Sequence, residues 1–199
     1  MAGEFTKETV RKLMEIEGEV RGAVLKLDGE YVLREKGKEG LKKLESELDK
    51  MGSPIEYEKI KVMDFYPIGL RIISLLAIKE IFGLSDERIK EMGAEAPKSS
   101  LIIKLFMKYF ASPSLTVKQA PLMWEKHYTR GKLAVTEFDV KEKRATLRLE
   151  NLDLHPILCQ YLGGYFSTVV KMVLGVPVSV RETKCPFRGD KYHEYFLKG

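Results

Sequence analysis

The sequence predicts an α+β fold, with an N-terminal helical bundle packed on a C-terminal four-stranded antiparallel sheet. Apolar residues recur at spacings of three and four through most of residues 1–130, which is the period of helices. Beyond residue 131 they alternate, as in Ala145, Leu147 and Leu149. A chain of 199 residues fits one domain, with a helical lobe at 1–130 and a ββαββ lobe at 131–199.

The helical lobe is divided by glycines and prolines. Asp64 and Pro67 are expected to begin the buried central helix, as its cap and in its first turn. Gly93 is expected to end the short helix that follows it. Residues 20–33 fit a helix start or a local strand, and both remain open. The predicted helices cover residues 5–16, 40–51, 68–82, 86–92, 99–110 and 114–128.

The C-terminal lobe is predicted as two hairpins on either side of one long helix. The helix is apolar on most faces and should be buried. Arg188, Gly189 and Asp190 are expected to form the turn of the second hairpin. The predicted elements are strand Lys132–Asp139, strand Arg144–Glu150, helix Pro156–Leu174, a strand over residues 176–180 and strand Lys191–Leu197.

Composition limits the location and the partners. The net charge is +5, but lysines and arginines alternate with glutamates, unlike the one-signed clusters of a nucleic-acid-binding surface. Charges interrupt every apolar stretch, and residues 1–8 contain no signal-peptide core. We therefore expect a cytoplasmic protein with no membrane span and no nucleic-acid partner. A charged fraction of 32% with one Asn and two Gln is typical of a thermophile.

The last fifty residues or so contain a recognisable signature. An apolar helix with one cysteine precedes an alternating strand, and a glutamate, a second cysteine, a Gly-Asp pair and a histidine follow. The residues are Cys159, Gly163, Gly164, Gly175, Glu182, Cys185, Gly189, Asp190 and His193. This order is similar to the closing signature of 4-vinyl reductase-type (hydrocarbon-binding) domains.

The N-terminal half is similar to haem nitric oxide/oxygen-binding (H-NOX) domains. The similarity lies in residues 19–24, in Phe65-Tyr66-Pro67 and in residues 82–87. Both families share one fold with the TRAPP subunits of Golgi transport. The resemblance implies a small-molecule sensor, often dimeric, with a hydrophobic pocket between helices and sheet. We expect a small apolar ligand and either a homodimer or a signalling partner protein.

His155, Cys159, Cys185 and His193 form a candidate metal site. His155 and Cys159 are four apart at the start of the long helix and share a face. Cys185 and His193 are equidistant from Gly189, so a hairpin turning there would place them opposite each other. Two sulfurs and two nitrogens suit tetrahedral zinc. The resemblance supports only Cys159, Cys185 and His193, and the alternative is a buried apolar cysteine and an ordinary strand histidine.

Aromatic side chains at helical spacing are the candidate lining of the ligand pocket, although such a stripe is also typical of a plain core. Gly163 and Gly164 cost about 1 kcal/mol each relative to alanine inside a helix. They indicate either close backbone packing or room for a ligand. The candidate ligand-binding residues are Phe106, Tyr109, Phe110, Met123, Trp124, Tyr161, Tyr165 and Phe166.

Haem is the less favoured cofactor. The resemblance to the haem-binding branch implies an axial histidine before the sheet and a Tyr-x-Ser-x-Arg strand that holds the propionates. His127 lies in the right region for the axial ligand, and a helix-end histidine satisfied by carbonyls is the alternative. The corresponding strand, from Arg144 to Arg148, lacks the tyrosine and the serine.

No nucleophile elbow, zinc-protease motif or phosphate-binding glycine loop occurs in the sequence. The predicted function is therefore a non-catalytic small-molecule sensor or regulatory module. A haem-based NO/O2 sensor and a scaffolding protein of TRAPP-like fold are the alternatives.

Overall fold

The computed structural model describes residues 3–99 and 112–199. These residues form two compact units. The first contains the chain up to Ile89 together with His127–Thr129, and the second contains Lys90–Lys126 and Arg130–Gly199. The predicted single domain with lobes divided at residue 130 stays a prediction.

The first unit contains helices α1 (Lys7–Met14), α2 (Gly22–Lys50) and α3 (Gly69–Ile81). Gly37 interrupts α2 with φ +69° and ψ −174°, a backbone conformation that glycine adopts most readily. The segment at residues 20–33, for which the sequence allows both a helix start and a local strand, is helical from Gly22 onward. Most of α3 is buried, as predicted for the central helix.

A small antiparallel sheet precedes α3 and corrects the predicted helix start. Strand β1 (Glu19–Arg21) pairs with β2 (Phe65–Pro67), so Pro67 lies in a strand and α3 begins at Gly69. The carbonyl of Asp64 accepts a hydrogen bond of 2.8 Å from the Gly22 amide. This non-local pairing draws the segment into a strand, which the local cap and proline signals do not indicate.

Among the described residues, two further helices precede the main sheet. Helix α4 (Asp86–Ser99) continues past Gly93, where the prediction ended it, and α5 covers Pro113–Glu125. Gly93 is a packing residue because any Cβ there would collide with the Tyr161 carbonyl. The helix predicted at residues 99–110 lies almost entirely outside the described residues.

The second unit contains the predicted four-stranded antiparallel sheet, with strand order β3-β4-β6-β5. The first hairpin and the long helix have the predicted bounds, whereas β5 begins three residues later than predicted. The elements are β3 (Lys132–Asp139), β4 (Arg144–Glu150), α6 (Pro156–Leu174), β5 (Ser179–Lys184) and β6 (His193–Lys198). The mixed helix-and-sheet fold class is confirmed.

Helix α6 packs against β5 and β6 in the core of this unit. The buried sheet face includes Leu147, Leu149, Tyr195 and Leu197. By length and composition α6 is apolar enough to cross a membrane, contrary to the sequence expectation, but 61% of its apolar window is buried inside the protein. Such burial is typical of a core helix.

Candidate metal centre

Four side chains of the second unit converge on one point beneath the β5–β6 hairpin. The ligand atoms of Cys159, Glu182, Cys185 and His193 all lie within 4.8 Å of one another. The Cys159 sulfur is 3.9 Å from the Cys185 sulfur and 3.8 Å from His193 Nδ1. His193 Nδ1 is 2.9 Å from Glu182 Oε1.

A β-bulge in β5 makes this convergence possible. Glu182 pairs with Tyr195 and Lys184 pairs with Glu194, so Thr183 is an extra residue with no cross-strand pairing partner on β6. Residues three apart on a regular strand face opposite sides of the sheet. The bulge shifts the alternation by one residue and lets Glu182 and Cys185 face the same side.

The ring of His193 is oriented by a backbone carbonyl. Its Nε2 lies 3.2 Å from the Leu152 oxygen, which can only accept, so Nε2 carries a proton. Nδ1 then faces the Glu182 carboxylate and the Cys159 sulfur. Lone pairs on Nδ1 and on the carboxylate would repel at 2.9 Å, so a proton or a metal cation lies between them.

The predicted metal site includes His155, but His155 lies outside this group of four. It is the N-cap of α6, and its Nδ1 accepts a hydrogen bond of 3.2 Å from the Ile157 amide. The fourth potential ligand atom in the group belongs to Glu182 instead. The sequence signature contains Glu182, but the bulge that turns it toward Cys185 has no local sequence signal.

Burial and charge give the cluster a strong preference for a cation. Burial raises the pKa of the Cys159 thiol, and the negative charge of Glu182 raises it further. Burial also acts to raise the pKa of Glu182, but the hydrogen bond and charge of His193, with Arg188, outweigh it and lower that pKa. A metal cation would displace the thiol proton and neutralise the buried carboxylate.

The separation of the two cysteine sulfurs fits a tetrahedral zinc ion. Zinc–sulfur bonds of about 2.3 Å place two sulfurs of one tetrahedron about 3.8 Å apart. The observed separation of the cysteine sulfurs is 3.9 Å. Two sulfurs, one imidazole nitrogen and one carboxylate oxygen are all donors that zinc accepts.

The turn between β5 and β6 holds two of the four residues in place. Asp190 accepts a hydrogen bond of 2.8 Å from the Cys185 amide, and the Arg188 amide donates to the Cys185 carbonyl at 2.9 Å. The Arg188 guanidinium contacts Glu182 Oε2 at 3.3 Å and the Glu182 carbonyl at 3.1 Å. The turn therefore fixes both Cys185 and Glu182.

The predicted pocket residues are only partly described. Phe106, Tyr109 and Phe110 lie outside the described residues. Trp124, Tyr161 and Phe166 are buried, whereas Met123 and Tyr165 are half-buried. The Phe166 ring is 5.2 Å from the Tyr195 ring and 5.9 Å from the Tyr165 ring. Their role in ligand binding stays a prediction.

The predicted haem ligand lies in the turn after α5. His127 is half-buried, and its carbonyl accepts a hydrogen bond of 2.8 Å from the Arg21 amide. Of the two arginines on the strand expected to hold propionates, Arg144 pairs with Glu137 at 2.8 Å and Arg148 stacks on Tyr192 at 4.2 Å. Both arginines already have partners, so this strand does not fit the propionate-holding role, and the axial role of His127 stays a prediction.

No family model matches the chain, and no curated protein matches it. Solved structures similar to it are H-NOX domains. One is an H-NOX protein from S. oneidensis in the Fe(II)NO ligation state, with a TM-score of 0.64, 12% identity and coverage of 89% of this chain and 98% of that one. Another is an oxygen-binding H-NOX domain related to soluble guanylate cyclases, with a TM-score of 0.64, 12% identity and coverage of 89% and 94%.

A third similar structure, described as giving insights into the mechanism of H-NOX activation, has a TM-score of 0.61 and 15% identity, with coverage of 89% and 95%. At such identities the likeness shows the fold alone. The resemblances to 4-vinyl reductase-type domains and TRAPP subunits stay predictions. The chain has an H-NOX-like fold.

Proposed function

We propose that this protein is a sensor or regulatory module that binds a small apolar molecule and holds one zinc ion. The zinc ligands are Cys159, Glu182, Cys185 and His193. The observation that carries the proposal is the convergence of their ligand atoms within 4.8 Å, with a bulge in β5 and a histidine oriented by the Leu152 carbonyl.

The zinc ion would fasten one end of α6 to the second hairpin. Cys159 lies in α6, Glu182 in β5, Cys185 in the following turn and His193 at the start of β6. Four protein ligands, here from a helix, two strands and a turn, are typical of a structural zinc site. Such a site stabilises the folded state because the unfolded chain has no preformed cluster.

The sensor role is supported by the fold. Solved domains of this fold bind NO or oxygen, as their descriptions state. In this chain the buried aromatic residues Trp124, Tyr161 and Phe166 are the described candidates for the lining of an apolar pocket. A second copy of the chain or a partner protein would detect the bound state.

A haem-based gas sensor is the second candidate, and the likeness to H-NOX structures favours it. Haem would supply a gas-binding iron, and His127 would be the residue that holds it. The engagement of Arg144 and Arg148 with Glu137 and Tyr192 argues against it, since haem propionates need cationic partners.

Native mass spectrometry of the purified full chain, with elemental analysis and an absorption spectrum, separates the candidates. We expect one zinc per chain, an additional retained small apolar molecule and no Soret band. A Soret band that persists after purification would favour the haem sensor. Protein that takes up neither zinc nor a hydrophobic probe would contradict the main proposal.

A further inference from the structure

Glu182 differs from the other three residues of the cluster in its exposure. Its side chain is 15% exposed, whereas that of His193 is 3% exposed and both cysteines are buried. Solvent therefore reaches the cluster on the side of the carboxylate. An incoming ligand would meet Glu182 first.

Glu182 also has a second partner on that side. Its Oε1 faces His193 Nδ1, while its Oε2 contacts Arg188 Nη1 at 3.3 Å. Arg188 Nη2 donates to the Glu182 carbonyl at 3.1 Å. Because this backbone bond does not depend on the carboxylate rotamer, the guanidinium stays in place if the carboxylate moves.

The chemistry of the donors ranks them in the same order. Thiolates and imidazole are the softer donors and hold zinc or cobalt firmly, whereas the carboxylate is the hard donor of the set. Zinc with three firm protein ligands and a fourth exchangeable position is the arrangement that accepts outside ligands.

We propose that Glu182 is an exchangeable metal ligand, kept by Arg188 when it leaves the metal, so that a small anion can bind the metal from the solvent side. The proposal rests on the proposed zinc site. With this exchange, the zinc ion would bind an anion in addition to stabilising the fold. The positive charge of Arg188, whose side chain is 54% exposed, attracts that anion to the opening.

The test uses the full chain loaded with Co(II) and titrated with azide. Thiolate-to-cobalt charge transfer reports the two cysteines, and the d–d bands report the fourth ligand. We expect azide to change the d–d bands saturably while the charge-transfer band remains. Unchanged d–d bands would overturn the exchange proposal but leave the metal site intact. Loss of the charge-transfer band would also overturn the exchange proposal, because azide would then displace a cysteine.

Three variants test whether Arg188 holds the displaced Glu182 carboxylate or only supports the turn. Glu182→Gln weakens the competing ligand, so azide should bind about tenfold more tightly, within the range of effects seen at metal sites. Arg188→Met frees the carboxylate to compete for the metal and removes the attracting charge, so azide should bind about tenfold more weakly. Arg181→Met, which removes an exposed cation from the opposite face of β5, should change nothing.

The outcomes that count against each idea are distinct. Absence of any thiolate-to-cobalt band would overturn the metal site and the exchange proposal together. Equal azide affinities in the cobalt-loaded wild type and Arg188→Met would overturn the role of Arg188 in the exchange, and loss of cobalt from Arg188→Met would show that Arg188 only supports the turn.

Discussion

His155 and His193 have different roles, although the sequence predicts both as metal ligands. The Nδ1 atom of His155 accepts a hydrogen bond from the Ile157 amide, as the side chain of an N-cap residue does. His193 donates from Nε2 to Leu152 and directs Nδ1 at Glu182. The difference comes from the backbone partner of each ring rather than from residue type.

These roles predict that a substitution at His193 weakens zinc binding and that one at His155 leaves zinc binding unchanged. His193→Ala removes a ligand, so zinc affinity should fall by about 100-fold or more, beyond the effect of losing an outer-shell partner. His155→Asn keeps an N-cap acceptor and should bind zinc like the wild type. Competition with a chromogenic chelator measures both, and a large loss of affinity in His155→Asn would contradict the assignment.

A second residue-scale feature is a buried ion pair in the first unit. Asp28 and Arg71 are fully buried and in direct contact, and Ser74 donates to the same carboxylate at 2.8 Å. Burial raises the pKa of Asp28, and the charge of Arg71 opposes that rise. The pair is stable only while both partners remain.

Asp28→Ala leaves the Arg71 charge buried without its carboxylate. The free energy of unfolding should fall by about 3–5 kcal/mol, as measured by urea denaturation. The double variant Asp28→Leu with Arg71→Met removes both charges and should recover most of this loss. If the single and double variants were equally unstable, the charge would not be the cause.

At the scale of elements, α4 and α6 cross with their backbones in contact. A Cβ at Gly164 would collide with the Lys90 carbonyl, and one at Gly93 would collide with the Tyr161 carbonyl. A Cβ at Gly163 would meet Tyr195 Cε1 at 4.0 Å as its nearest neighbour among the described residues. The two adjacent glycines therefore have different reasons to be there.

The glycine pair offers a matched test. Gly164→Ala should destabilise the protein by about 1–3 kcal/mol through overpacking. Gly163→Ala should be neutral or stabilise by up to about 1 kcal/mol, because alanine favours the helix. Thermal unfolding of both variants measures the difference, and equal losses would show that the crossing is not backbone-limited.

The bulge at Thr183 lets Glu182 and Cys185, which are three residues apart, face the same side of the sheet. Deletion of Thr183 leaves the two residues two apart, so on a regular strand they still face the same side. The variant should therefore still bind zinc, as competition with a chromogenic chelator would show, and loss of zinc binding would mean that the bulge also sets the distance between the two ligands. Thr183→Val keeps the residue count and should bind zinc normally; failure of that control would mean that the hydroxyl matters instead.

Periodicity predicted elements well where local sequence decides the structure. The first hairpin and α6 have the predicted bounds, because alternation and helical spacing are strong there. The pairing of β1 with β2 could not be predicted, since its partners are more than forty residues apart. Three of the predicted metal ligands, Cys159, Cys185 and His193, lie together in the cluster, and their role as ligands stays a prediction. Glu182 was missed because the bulge depends on the pairing of β5 with β6.

At the scale of the whole molecule, the fold and the site carry separate information. The fold is shared with H-NOX domains at 12–15% identity. The donor cluster consists of this chain's own residues, all in the second unit. The likeness shows the fold alone, and the donor cluster is the feature that carries the proposed metal-stabilised hairpin.

X-ray absorption at the zinc K-edge of the purified full chain tests the central claim most directly. The account predicts one zinc per chain with a shell of two sulfurs and two nitrogen or oxygen atoms, from Cys159, Cys185, His193 and Glu182. Protein that stays without zinc after loading, or a shell made only of nitrogen and oxygen, would contradict it.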